Sequence, residues 1–267
     1  MLTVLLLSLA CAPSTSCALP ASSETVPLFV LQDEDEIQDK RPEIKELLGS
    51  LKGHIGKRGN EDTEAIGVID KLLTEYPRCG PKDRGSITKG LGKCLDQKRK
   101  DLDEGVPNSR LFTAAAVALG EMGKEATPVI SKYIGHKRLK HDLALQRTLI
   151  LSLGKTKDVT SIKALLKLLN NKDNVIIAAT AEALGEFKGA PQKLRKDIFN
   201  ELLKLLVTTK ALKDGDINDI ASREKYDVIA APVTTTLQLL SGHDERKPEQ
   251  WQRWWNKNKK GDWGEED

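Results

Sequence analysis

Ala116-Val117-Ala118-Leu119-Gly120, Ile150-Leu151-Ser152-Leu153-Gly154 and Ala181-Glu182-Ala183-Leu184-Gly185 restate one pattern. Gly154 follows Gly120 by 34 residues, and Gly185 follows Gly154 by 31. A period in that range, filled with helix formers and free of strand signals, is the sequence mark of stacked two-helix repeats. Aligning the copies on Leu-Gly brings Leu111, Leu145 and Ile176 into register, then Ala114, Thr148 and Ala179, then Ala118, Ser152 and Ala183, then Leu119, Leu153 and Leu184. That spacing is one helical stripe, with large residues for the core and small ones where helices approach closely. Each first helix is expected to end near its Gly in a left-handed closing turn.

A second helix follows each first one. Its apolar face is Val129, Ile130, Tyr133 and Ile134 in the first copy, Ile162, Leu165, Leu166 and Leu169 in the second, and Ile198, Leu202, Leu205 and Leu206 in the third. Asn108, Asp158 and Asn174 are suitable N-cap residues for the helices they precede. One such pair cannot bury its face alone, whereas a stack can.

Outward from the copies the pattern loosens. Toward the N-terminus, Pro42 opens a helix with Ile44, Leu47, Leu48 and Leu51 on one side. A second helix begins at Asp62-Thr63-Glu64, and a third runs from Asp83 to about Arg99. Leu91-Gly92 reads as a degenerate first copy. Toward the C-terminus, Tyr226 to Leu240 is a further first helix, in which Pro232 should start or kink the helix. Trp251, Trp254 and Trp255 then stand at i, i+3 and i+4 of a last helix. Large rings at that spacing cover the open face of a final repeat, and an aromatic ligand platform is the rival reading.

The A-x-A-L-G helix ends, the turn Ala126-Thr127-Pro128 and the period resemble HEAT repeats, including the short bacterial type, over roughly residues 62 to 242. The ending Leu240-Ser241-Gly242 followed by Trp251, Trp254 and Trp255 resembles the closing helix of secreted bacterial HEAT-repeat proteins. The resemblance implies an all-α chain, a right-handed α-solenoid of stacked helical hairpins in an armadillo-type superhelix. On activity the resemblance is nearly silent; the function expected is a non-catalytic scaffold that binds another protein, because extended arrays offer a concave side for recognition. The segments expected are a signal peptide over 1–21, a flexible acidic lead-in over 22–41, the solenoid over 42–242, a Trp-rich capping helix over 243–258 and an acidic tail over 259–267.

Composition narrows function. Charged residues make up 30% and aromatic ones 4%, which favours helix over a sandwich or barrel. A formal net charge of +3 provides no global field of the kind that marks a dedicated nucleic-acid binder. The uncharged run Leu2 to Ala10, followed by small residues, reads as a secretory signal, too short to span a bilayer. Export to the periplasm or the extracellular space follows from that reading. A lipid anchor at Cys11 is disfavoured, because Ser8-Leu9-Ala10 places its small and large residues in the wrong order.

Removal of the signal leaves Cys79 and Cys94, an even pair in an oxidising compartment. They are either a disulfide or two independent buried thiols.

Sites for chemistry are sparse. His54, His136, His141 and His243 lack the i, i+4 partner or adjacent Glu of a helical metal site. Deoxyhypusine hydroxylase, a HEAT-repeat enzyme, carries His-Glu pairs that hold iron, and this chain has no His-Glu dipeptide. Bilin lyases share the repeat, so an enzyme or enzyme subunit of lyase-like type is the alternative reading. No cofactor or metal is expected. The densest basic feature of the repeats is the loop His136, Lys137, Arg138, Leu139, Lys140 and His141. It is the candidate contact for a protein partner. HEAT-like DNA glycosylases use a basic concave surface, whereas this is a single turn and not a stripe repeated in each copy, so a nucleic-acid-binding HEAT-like protein is the less favoured alternative.

Overall fold

The computed structural model describes residues 37–102 and 105–263. The expected signal peptide, Cys11, most of the acidic lead-in and residues 264–267 of the tail lie outside the described residues. Eleven α-helices are present among the described residues: α1 (Pro42–Ile55), α2 (Asp62–Glu75), α3 (Pro81–Asp96), α4 (Arg110–Glu121), α5 (Thr127–Tyr133), α6 (Leu143–Lys155), α7 (Ile162–Leu168), α8 (Asn174–Gly185), α9 (Gln192–Gly215), α10 (Ile220–Ser241) and α11 (Pro248–Asn258). The described extended pairing is one isolated parallel bridge between Gln38 and Cys79.

The helices begin where local chemistry satisfies their first N–H groups. Asp142 accepts from Leu145 N (2.9 Å) at α6, Asp173 from Val175 N (2.9 Å) at α8, and Asp219 from Ser222 N (3.0 Å) at α10. Asp158 caps the 3₁₀ turn that leads into α7, through Thr160 N at 3.0 Å. Asn174 and Asn108, the other expected caps, do not serve. Asp173 stands at the cap of α8, and Ser109, at the cap of α4, turns its hydroxyl to the Asp142 carboxylate instead. Prolines occupy the first turn of α1, α3, α5 and α11, where a missing N–H costs nothing.

Packing follows two rows. α2 packs on α4, α4 on α6, α6 on α8 and α8 on α10. In the other row α1 packs on α3, α3 on α5, α7 on α9 and α9 on α11. The rows are joined by α1 with α2, α3 with α4, α5 with α6, α7 with α8 and α9 with α10. The aligned stripe lies at the centre, with Leu119, Leu153 and Leu184 at most 1% exposed. This arrangement moves the degenerate first copy. Gly92 of α3 faces Val129 of α5 in the second row, and α2 is the helix in line with α4.

The repeated glycines correct another expectation. None of Gly120, Gly154 and Gly185 has a positive φ; among the described glycines Gly59, Gly105, Gly123, Gly135 and Gly242 do. The repeated ones sit inside the last helical turn and face the next helix of the row. A Cβ on Gly120 would lie 2.9 Å from the Ser152 Cα, and one on Gly154 would lie 2.6 Å from the Ala183 carbonyl oxygen. Ser152 and Ala183 are the small residues two positions before the next Gly. The motif is therefore a joint, in which the Gly of one copy receives the backbone of the following copy. On the outside, Lys155 pairs with Glu121 (2.7 Å) and Arg147 with Glu182 (2.6 Å), crossing the same joints.

The end of the lead-in is held in place, not loose. Asp39 accepts from the N–H groups of Lys82 (2.9 Å) and Asp83 (3.3 Å) at the start of α3, and Arg41 pairs with Glu75 at 2.7 Å. Pro232 lies inside α10, thirteenth of its 22 residues, and does not start it. The carbonyl it leaves without an N–H belongs to Val228, on the exposed half of the helix before burial resumes at Ile229 and Val233. No described helix is long and apolar enough to cross a membrane.

Candidate interaction surfaces

The basic loop between α5 and α6 is built around a buried glutamine. Gln146 accepts from Gly135 N (2.7 Å) and donates to the carbonyls of Tyr133 (3.2 Å) and Leu139 (3.3 Å). Leu139 is buried beneath the loop, and the His136 ring leans on Tyr133 at 6.0 Å between centroids. Arg138 reaches back to the end of α3, where its guanidinium donates to the carbonyls of Asp96 (2.6 Å) and Leu95. A cation on the last carbonyls of a helix is a capping arrangement. The six residues are thus split: His136, Arg138 and Leu139 hold the fold, and Lys137, Lys140 and His141 project into solvent.

A cavity of about 680 Å³ opens between this loop and the α3–α4 connection, lined in part by Arg99, Asp101, Ser109, Arg138, His141 and Asp142. Its arginines are committed. Arg99 forks onto Asp62 at 2.9 and 2.8 Å and donates to the Ile55 carbonyl, with its side chain 2% exposed. The Ser109 hydroxyl donates to Asp142, and Asp142 also caps α6. A serine on a carboxylate, with no imidazole bonded to it, lacks the base that would make it a nucleophile. Among the described residues no group of three or more His, Cys, Asp or Glu side chains is placed to hold a metal ion.

A second concavity of about 350 Å³ lies between α7 and α9. Leu166 and Leu205 form its apolar part, and Asn170, Asn171, Glu201 and Lys204 its polar part. The sequence marked α7 and α9 as second helices but gave no sign of the gap between them. The gap arises because α7 has 7 residues and α9 has 24.

Cys79 and Cys94 are free and buried. The disulfide reading fails on helix geometry. Cys79 precedes α3 and Cys94 is near its end, so the 13 steps from Pro81 to Cys94 rise about 20 Å along the axis. A disulfide needs Cα atoms within about 7 Å. Cys79 donates to the Glu75 carbonyl at 3.2 Å, and burial pushes the Cys94 thiol up to about 12. Nearby, Asp96 is held below the usual carboxylate range. Partial burial works the other way, but hydrogen bonds from Tyr133 and Lys132 outweigh it.

The tryptophans form a cluster around Phe199 of α9. Trp251, Trp254, Trp255 and Trp263 all have ring centroids within 5.0 to 5.6 Å of Phe199. Trp251 is fully buried, and Trp254 and Trp255 are partly so. Trp263, which lies in the expected acidic tail, is 6% exposed and belongs to the cluster. Its signal was available: it is the remaining tryptophan, eight residues past Trp255 and just beyond a Gly. His243 stacks on Trp254 at 5.3 Å. No family model, no curated protein and no solved structure matches this chain.

Proposed function

We propose that this chain is a non-catalytic scaffold, a right-handed α-solenoid of HEAT type that is exported by a signal peptide over 1–21 and binds another protein. The observation that carries the reading is the serial joint. Gly120 on Ser152 and Gly154 on Ala183 repeat one contact along a row in which each helix packs on the next. Such an array presents a long surface with little of the deep enclosure that chemistry needs. The groove between α7 and α9, with apolar Leu166 and Leu205 beside Asn170, Asn171 and Lys204, has the mixed character of a protein contact. Lys137, Lys140 and His141 form a second, peripheral contact. The serine bonded to a carboxylate and the arginines already paired weigh against the enzyme reading.

The test is cross-linking in intact cells through lysine-reactive reagents, followed by mass spectrometry. One partner protein should be captured through Lys204 and Lys225, which line the groove, and lost on Leu205→Glu in a variant that keeps its helical circular dichroism. Cross-links spread evenly over all faces would overturn the assignment. Cell fractionation, with the protein retained in the cytoplasm, would overturn export.

A further inference from the structure

A cavity of about 890 Å³ lies not in the repeats but at the aromatic end, between the start of α9 and the turn after α11. We infer that it is a binding site for an acidic saccharide, stacked on Trp255 and held by lysines.

The walls are fixed before any ligand arrives. Trp255 lies against Phe199 with centroids 5.0 Å apart and rings 23° from parallel, and it meets Trp263 edge-on at 5.9 Å. Its orientation is set by the cap, while it remains partly exposed and lines the cavity. Opposite, Gln192 and Lys196 both donate to the Gly261 carbonyl, at 3.0 and 2.5 Å, and Lys196 lies 5.4 Å over the Trp263 ring. These contacts tie the turn Lys259 to Asp262 to the start of α9.

The lining then selects a ligand class. Four lysines, Lys193, Lys196, Lys259 and Lys260, face two aspartates, Asp197 and Asp262, leaving two positive charges in excess. Neither aspartate is within ion-pair distance of these lysines. An indole face suits the apolar face of a pyranose ring, as it suits a base. The aspartates decide between the two. They accept hydrogen bonds from sugar hydroxyls, which favours a ligand with hydroxyls between its negative charges over a run of phosphodiesters with a charge on every unit. Asn200 adds an amide that both donates and accepts. The excess lysines require at least one carboxylate or sulfate on the saccharide. The tryptophans that the sequence offers as either cap or platform thus divide the roles: Trp251 is wholly cap, and Trp255 serves both.

Isothermal titration calorimetry of the full chain with a tetrasaccharide of alternating glucuronic acid and N-acetylglucosamine tests this. The methyl ester of the same tetrasaccharide, inorganic phosphate and a twelve-residue oligothymidylate are the other probes. The acidic tetrasaccharide should bind at least tenfold tighter than its neutral ester and than phosphate. Lys193→Ala/Lys259→Ala/Lys260→Ala, all exposed positions, should weaken it at least tenfold with an unchanged melting temperature. Trp255→Tyr should keep affinity within threefold, and Trp255→Leu should lose at least tenfold. No heat from the acidic tetrasaccharide at millimolar concentration would overturn the inference. So would an unaffected triple-lysine variant, equal binding of the ester or phosphate, or tighter binding of the oligothymidylate. The lysine variant keeps the test decisive if Trp255→Leu does not fold.

Discussion

The middle of the helix row and its C-terminal end solve one problem in opposite ways. Between α4, α6 and α8 the joint is made by removing atoms: Gly120 and Gly154 let the backbone of the next helix approach to where a side chain would stand. At α9 and α11 the joint is made by adding them, with four indoles around one phenyl ring. The interface between α8 and α10 is intermediate. A Cβ on Gly185 would meet only the Leu239 and Thr236 side chains, at 3.2 and 3.3 Å. A repeated element can use a backbone contact because its neighbour has the same backbone in the same place. A terminal element has no such neighbour, and bulk must close it.

Removing bulk from the end gives the largest effect. Trp251→Ala, at a fully buried site, should cost about 3–5 kcal/mol. Because α11 packs on α9 at the end of its row, the loss should appear first there. Denaturant titration should show the remaining tryptophan fluorescence changing before the helical circular dichroism. Coincident transitions would mean that cap and middle fold as one unit.

Adding an atom to the middle should come next. Gly154→Ala drives a methyl group into the Ala183 backbone and should lose roughly 1–3 kcal/mol despite the better helix propensity of alanine. Gly185→Ala meets side-chain atoms first, of which the Thr236 hydroxyl is held by the Ala181 carbonyl at 2.7 Å, and should lose less than Gly154→Ala, no more than about 1 kcal/mol. Equal melting temperatures for the two variants would break the distinction drawn between the joints.

These glycines also mark how far the sequence can be read. The period, the helix stripes and the buried Leu119, Leu153 and Leu184 follow from residue type and spacing, because a helix face is a local property. What Gly154 touches is not local. A glycine at a helix end is equally consistent with a left-handed turn and with a close crossing, and only the position of α8 separates them. The Cys79 and Cys94 pair was different, since the helix expected from Asp83 already separates them. Of the candidate surfaces, the loop from His136 to His141 was visible as charge, but the use of Arg138 by α3 depends on a carbonyl more than forty residues away.

Alkaline pH distinguishes the two ends without mutation. Cys94 stays neutral in the fold to about 12, held there by burial, and Tyr76 is likewise raised to about 12 by burial and then by Glu125. In the unfolded chain a thiol ionises from about 8.5 and a phenol from about 10. Above about pH 9 the unfolded chain binds fewer protons than the folded one, so stability is intact below that pH and falls as pH rises toward 12. Cys94 alone should account for roughly 3 kcal/mol by pH 10.5. Both groups lie in α3 and the turn after α2, whereas every tryptophan lies at the far end. Circular dichroism should therefore fall before tryptophan fluorescence, the reverse of the order in Trp251→Ala. Thiol titration at pH 8 should find both cysteines unreactive in the native protein and both reactive after denaturation.

Arg138→Ala should lose about 1–2 kcal/mol, because it removes charge-assisted bonds from the end of α3. Lys137→Ala and Lys140→Ala should leave the melting temperature unchanged. If Arg138→Ala melts like the parent yet abolishes cross-linking to a partner, the arginine is a contact residue and its capping is incidental.

The smallest effect concerns the charges that cross the middle joints. Lys155 with Glu121 and Arg147 with Glu182 are short pairs, at 2.7 and 2.6 Å, but all four side chains are between 36% and 48% exposed. Water screens such pairs, and immobilising long side chains offsets most of the attraction, so each is worth about 0.2–1 kcal/mol. Lys155→Ala should thus lower stability by no more than about 0.5 kcal/mol, and raising the salt concentration should bring parent and variant together. A double-mutant cycle with Glu121→Ala isolates the pair. A coupling above about 1 kcal/mol that survives high salt would place the strength of the joint in its charges, and the backbone contact at Gly120 would then be a consequence of the pairing, not the cause of the close approach.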